Sequence, residues 1–399
     1  MVNILASKKE AVRAANISQE IIEGILIFVL VLAVQAIFVV FVSIESFLIS
    51  LAIALVVLST LWAIIKRFPN FQNETRSLLT KRRWVPLSAL GVGLLTYPIL
   101  QTNPYLIHVM TMVFIFGIMV QGLNVHLGEM NAVNMGYAGF FAIGAYTSAL
   151  LSVDAGWSFW PSIIAAIIAC WIAGGVVGLC VIRATGDYLA LVTLGFGLII
   201  HQLITNLKWL THGTDGLHIP KAILFGHSLG NPISFGFITL SKESNFYYVS
   251  LAFLLFSVIL IKRVMRSWIA HAWAAERQDG LGLSCFGVNI PWMRVKSFAF
   301  GSAFAGVAGT LYAGEIAYIN PDEFTLFFSI IAICMVILGG MGNWWGVIIG
   351  ALIMAILPEK LRGMQELRLL IYGAILLILL IYRPLGLFPS ARRKHEKVL

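Results

Sequence analysis

The chain has 399 residues, of which 59% are apolar and only 11% charged, where a soluble domain carries roughly 25% charge. That deficit excludes a soluble globular protein and makes lipid the solvent for most side chains. The net charge of +9 does not point to nucleic acid, because the basic residues sit in short loops between apolar runs, where membrane topology accounts for them.

In chain order, apolar runs predict spans at 21–42, 46–66, 84–102, 105–124, 134–153, 158–182, 186–206, 246–265, 296–316, 326–340, 344–358 and 367–383. The first follows a polar N-terminal stretch and is too long for the apolar region of a signal peptide, so it reads as a span. The runs at 326–340 and 344–358 are short, and read alternatively as one broken or re-entrant element shielded by neighbours. The Gly- and Ala-rich run 134–153 reads as partly re-entrant on the same ground. The expected fold class is all-α: a polytopic membrane protein of roughly ten to twelve transmembrane helices. Residues 1–83 form an accessory two-helix hairpin closed by the basic loop KRFPNFQNETRSLLTKRR, and 84–399 form the working core.

The 27 Lys and Arg set an orientation. With the N-terminus inside, only Lys208, Lys221, Lys242, Lys360, Arg362 and Arg368 fall outside, and this bias places both termini in the cytoplasm. The longest outer loop, about 207–245, is dense in Gly, Pro, Asn and Ser, so turns dominate it; it reads as a docking surface or a plain connector. The polar stretch AWAAERQDGLGLSCFGVN, residues 272–289, then faces the cytoplasm, within a loop of about 266–293.

Small residues recur at four-residue spacing: Gly174 and Gly178, and Gly342, Gly346 and Gly350. On a helix that spacing lets backbones approach closely. Polar groups inside spans are costly and point to function. Glu129, Asn131 and Asn134 cluster where the fourth span meets the fifth, Asp187 opens the seventh, and Glu315 closes the ninth. They either line a polar pathway or are solvated at span ends; Asp187 reads as the latter, a carboxylate complementing a helix dipole. The candidate pathway set is Asn124, Glu129, Asn131, Asn134, Tyr137, Thr193 and Glu315.

No P-loop, no H-E-x-x-H and no Ser–His–acid grouping is present. The four cysteines show no C-x-x-C spacing, and read as small apolar filler. No catalytic residue, metal ligand or cofactor site is expected, so energy for uphill transport would come from a partner.

The polar stretch resembles the cytoplasmic coupling loop of ATP-driven importer permeases: an acidic residue near the front of a short helix, small residues, then a glycine. Asp279 is the acid and Gly287 the glycine, with Glu276 and Arg277 on the same candidate coupling surface. The segments GLNVHLGEMNAVNMGYAGFFAIGAY, RATGDYLALVTLGFG, LTHGTDGLHIP, FAGVAGTLYAG, INPDEFTLFFSI, VILGGMGNWWGVIIGALIM and IYRPLGLFP are similar, across roughly 85–390, to the branched-chain amino acid importer permease, and to the longer of its two paralogous subunits. The resemblance implies a bacterial inner-membrane subunit taking up leucine, isoleucine and valine. It also implies partners: a second homologous permease, two ATPase subunits, an extracytoplasmic solute-binding protein and membrane lipid. Departures from the family's pattern are Gln278, Gly280 and Gly282 in the coupling loop, Leu198 and His201 in the seventh span, and Asn131 where glycine is usual. Each added glycine costs a helix roughly 1 kcal/mol relative to Ala, so a coupling helix that is shorter or more dependent on its partner is expected. Alternative readings are a urea- or amide-importing permease, a self-sufficient secondary transporter and a non-transporting membrane scaffold.

Overall fold

The computed structural model describes residues 84–361, apart from Thr102, Arg183, Thr185 and several positions between 221 and 237, together with Gln35, Val39 and scattered positions from 370 to 390. Apart from Gln35 and Val39, the predicted spans 21–42 and 46–66, and with them the accessory hairpin, lie outside the described residues, as does most of the predicted span 367–383. Two compact units meet at Leu106 and Ile107. In the first, α1 (Trp84–Leu100) is an apolar helix with Pro98 in its last turn; Gln35 Nε2 donates to the Leu90 carbonyl (3.2 Å) and the Tyr97 hydroxyl to that of Leu106 (3.4 Å).

The second unit is built of helices. They are α2 (Pro104–Asn124), α3 (Tyr137–Val153), α4 (Phe159–Cys180), α5 (Asp187–Asn206), α6 (Lys242–Val264), α7 (Trp268–Cys285), α8 (Ile290–Ile316), α9 (Leu326–Gly339) and α10 (Trp344–Lys360). Between α5 and α6 lie short strands; Leu217–His218 pairs antiparallel with Tyr318–Ile319 after α8. The all-α class expected from composition holds. Five helical segments among the described residues are long and apolar enough to cross a membrane: Pro104–Glu129, Phe159–Cys180, Asp187–Asn206, Lys242–Val264 and Pro321–Gly339. The chain is a multi-pass membrane protein.

The 27-residue α8 is not among those five, yet its packing against α4 and α3 is the most extensive between elements. Most of its residues are buried against neighbouring helices, so small residues replace bulky apolar ones along FAFGSAFAGVAG. A Cβ on Gly309 would overlap the Phe141 carbonyl oxygen, and one on Gly144 would come within 2.6 Å of Gly306 Cα. Gly174 and Gly178 of α4 face α8 as their spacing predicts: Cβ atoms there would lie 2.6 Å from the Phe298 carbonyl oxygen and 2.8 Å from Val295 Cα.

The short runs near 326–358 form two helices of 14 and 17 residues, roughly 21 and 26 Å long against a hydrocarbon core of about 30 Å. They pack antiparallel: a Cβ on Gly346 would overlap the Gly339 carbonyl, and one on Gly350 that of Met335. Gly342 corrects the expected glycine series. It lies before α10, in the turn, with φ +79; its neighbour Gly340 has φ +112. Both are backbone shapes that favour glycine, so only Gly346 and Gly350 serve the helix face. The predicted span 134–153 likewise starts later, at Tyr137, because residues 130–136 form a loop.

Candidate functional site

The polar stretch forms α7. Its first half, WIAHAWAAERQ, is rich in good helix formers. Ala270, Ala272 and Trp273 are buried, and the Trp273 indole donates to the Met293 carbonyl (3.0 Å). The helix breaks at Asp279, whose φ −150 and ψ 94 are extended. There the carboxylate accepts the Gly282 N–H (2.9 Å), capping a second short turn that runs to Cys285. Gly287, with φ +78, donates its N–H to the Ser284 carbonyl (2.9 Å) and ends the turn as a left-handed glycine does. The coupling stretch is thus two short helices, in keeping with the weak propensity of Gly280 and Gly282.

Glu276 and Arg277 stand three and four residues beyond Trp273, so they share its inward face. Glu276 Oε1 accepts from Arg294 Nε at 2.6 Å, and its side chain is only 6% exposed. Arg294 Nη1 also donates to the Ile182 and Ala184 carbonyls, each at 3.1 Å. Arg277 Nη1 donates to the Gly128 carbonyl (2.7 Å). Through these bonds α7 grips the start of α8, the α4–α5 connection and the end of α2. Burial pushes the Glu276 carboxyl above the ordinary 4.5, against the opposing pull of Arg294; its second oxygen is buried without a partner. The open face of the elbow carries Gln278, Asp279, Leu281 and Phe286. The last two are 83% and 86% exposed.

The candidate pathway residues divide between two ends of α8. At the end near Arg294, α2 runs into a π-helical turn, Val125–Glu129, in which Glu129 is buried. Asn124 Oδ1 accepts the Gly342 N–H (2.8 Å), holding the α9–α10 turn. Thr193 Oγ1 accepts the Met135 N–H (3.1 Å), holding the loop before α3 on α5. Tyr137, fully buried, shares its hydroxyl proton between the carbonyls of Gly301 (2.8 Å) and Met119 (3.0 Å). Asn134 accepts the Gly136 N–H (3.1 Å) and its amide reaches His126 Nδ1 (3.2 Å). Glu315 sits apart, about 30 Å along α8 from Arg294, where it pairs with His108 Nδ1 at 2.6 Å. Asp187 is exposed in the first turn of α5.

Asn131 is exposed with φ +57. The departure from glycine at this position is therefore conservative in backbone terms, since asparagine visits the left-handed region more readily than other side chains. Asn131→Gly should leave thermal stability nearly unchanged. Asn131→Val and Gly287→Val should each lower it by about 1–2 kcal/mol, as read by thermal unfolding in detergent.

Three residues of this region have no counterpart among the expected ones. His126 is fully buried, stacked 4.6 Å from Phe298, with Nε2 donating to the Ser297 carbonyl (3.1 Å) and Nδ1 accepting from Asn134. Those partners define a neutral imidazole protonated on Nε2. Its only sequence signal was a histidine within the polar cluster GLNVHLGEMN. Arg294 gave a weaker one, a single charge just ahead of an apolar run. Phe286 carries the signal of an apolar residue ending a polar stretch.

A multi-pass, mainly helical bundle with a polar elbow clamped to the ends of its helices has the architecture of a membrane transport permease. Residues 105–380 match the family described as branched-chain amino acid transport system / permease component. The chain is 35% identical over 299 residues to the high-affinity branched-chain amino acid transport system permease protein LivM of Escherichia coli (strain K12), covering 72% of this chain and 70% of that protein. It is 35% identical over 301 residues to the protein of the same name from Salmonella typhimurium, with the same coverage. It is 27% identical over 247 residues to the probable branched-chain amino acid transport permease protein LivM of Methanocaldococcus jannaschii. No solved structure matches it. The chain belongs to the branched-chain amino acid permease component family.

Proposed function

We propose that this chain is the transmembrane permease subunit of an ATP-driven importer of leucine, isoleucine and valine in a bacterial inner membrane. The observation that carries the reading is the 35% identity to the Escherichia coli LivM permease over most of both chains. In this reading an extracytoplasmic binding protein delivers the amino acid and a second homologous permease completes the pathway. ATP is hydrolysed on two separate ATPase subunits, so this chain performs no catalysis itself. Both termini and α7 lie in the cytoplasm.

The elbow of α7 is the transmission element. Leu281 and Phe286 enter a groove on an ATPase subunit in helix-in-groove fashion, with Asp279 holding the break between the two helices. Motion of the elbow passes to α2, α4–α5 and α8 through Arg277 and the Glu276–Arg294 pair, and the bundle rocks between outward- and inward-open states. Asn124, Glu129, Asn131, Asn134, Tyr137 and Thr193 border the inner mouth of the pathway, and Glu315 the outer.

The test is purification from native membranes followed by reconstitution. A second permease and two ATPase copies should accompany the chain, and ATP-dependent leucine uptake should require all of them with the binding protein. Accumulation of leucine by liposomes holding this chain alone would overturn the reading. Labelling of Phe225→Cys and Gly280→Cys from opposite sides of the membrane checks the orientation.

A further inference from the structure

Beside α6 and α8 the second unit leaves an apolar cavity of about 130 Å3. Phe253, Phe256 and Leu260 of α6 and Phe300, Ala303 and Phe304 of α8 line it, together with apolar side chains of α2 and α4. Ser257 also reaches it, but its hydroxyl is spent on the Leu254 carbonyl (2.7 Å). Phe256 is 63% exposed and its neighbour Ile259 64%, so no described part of the chain covers this face.

The groove ends in positive charge. The residues Phe253, Phe256, Ser257 and Leu260 follow the spacing of one helix face, and Arg263 lies one turn beyond Leu260, at the edge of that face on the Phe256 side. On α8 the same face runs from Phe304 through Phe300 to Lys296, one turn earlier. Both cations are exposed, and both lie at the end where α6 gives way to α7. Lys296 Nζ stands 6.0 Å from the centre of the Trp268 ring, and Trp268, the first residue of α7, is 62% exposed. An exposed tryptophan beside a cation, at the end of an apolar groove, has the composition of a membrane interface. Lys262 is turned elsewhere, over Trp344 at 5.6 Å.

We propose that this face is a binding site for one anionic phospholipid, with an acyl chain in the groove and its phosphate held between Arg263 and Lys296. The apolar lining selects a hydrocarbon chain, and the paired cations select net negative charge over a zwitterionic headgroup. A bound lipid would bridge α6, the start of α7 and α8. The site is independent of which solute the permease carries.

Native mass spectrometry of the full-length chain, offered equimolar phosphatidylglycerol and phosphatidylethanolamine, tests it. Each cation should contribute about a fivefold preference, so that wild type retains phosphatidylglycerol about twenty-five-fold better. Arg263→Gln and Lys296→Gln should each remove about fivefold of that, and the double variant all of it, while Arg263→Lys keeps it. Ala303→Phe, which fills the groove, should lower retention of both lipids. Equal retention by wild type, or an unchanged preference in the double variant, would overturn the proposal. So would crosslinking of Phe256→Cys to a second membrane chain in the purified complex, because that chain rather than lipid would then cover the groove.

Discussion

Arg294→Ala is expected to lower the stability of the folded permease by about 3–5 kcal/mol, the cost of leaving one member of a buried ion pair without the other. Glu276 has no second cation among its described partners: its Oε1 accepts from Arg294 alone, and its Oε2 accepts from nothing. The same substitution frees the Ile182 and Ala184 carbonyls, so the α4–α5 connection also loses its tie to α8. Glu276→Gln should cost less, because the amide keeps its shape and can still accept from Arg294 Nε. The deficit has a pH signature. The Glu276 carboxyl is already raised above 4.5 by burial, and loss of Arg294 removes the attraction that opposes that rise. A carboxyl whose folded value lies above its unfolded one binds more protons in the native state, so stability falls as pH rises through that window. Arg294→Ala should therefore lose most at neutral and alkaline pH and recover as pH is lowered towards the ordinary carboxylate range. Thermal unfolding across pH measures this, and a deficit independent of pH would remove Glu276 as its cause. In the reconstituted importer, the variant that still inserts should hydrolyse ATP with little leucine uptake.

The second large effect separates two adjacent glycines. Gly174→Ala should disrupt the crossing of α4 and α8, whereas Gly175→Ala should be neutral or slightly stabilising. A Cβ on Gly174 would lie 2.6 Å from the Phe298 backbone oxygen, and no rotamer change can relieve that clash; a Cβ on Gly175 meets nothing within 4 Å. Forcing an extra methyl group into such a contact costs about 1–3 kcal/mol, while Ala is favoured over Gly in an open helix position by roughly 1 kcal/mol. Gly350→Ala should behave like Gly174→Ala, since its Cβ would overlap the Met335 backbone carbonyl in the α9–α10 pair. Expression level and thermal stability of the variants in detergent read the contrast. Equal behaviour of Gly174→Ala and Gly175→Ala would mean that the α4–α8 contact is looser than drawn here.

Much of the architecture was legible before any coordinates. Long apolar runs leave a chain no choice but helix in hydrocarbon, because every backbone polar group must be satisfied within its own segment. Hence α4, α5 and α6 begin and end within a few residues of their predicted spans. The glycine spacing in AGGVVG announced a close helix contact, and α8 supplies it. Gly342 escaped that reasoning, since a four-residue spacing does not reveal that a turn intervenes before Trp344.

What the sequence determined alone was the membrane class, the helical elements and the presence of one polar elbow between α6 and α8. Charge and hydropathy act residue by residue, so they survive without knowledge of neighbours. Tertiary structure alone decided which face of that elbow points where. Glu276 and Arg277 follow Trp273 inward to Arg294 and Gly128, leaving Leu281 and Phe286 outside. It decided equally that Tyr137 meets the backbones of α2 and α8, and that His126 meets the backbone of α8 while Asn134 holds its ring. Such pairings join residues as much as 171 positions apart, and are set by how helices pack rather than by any local pattern.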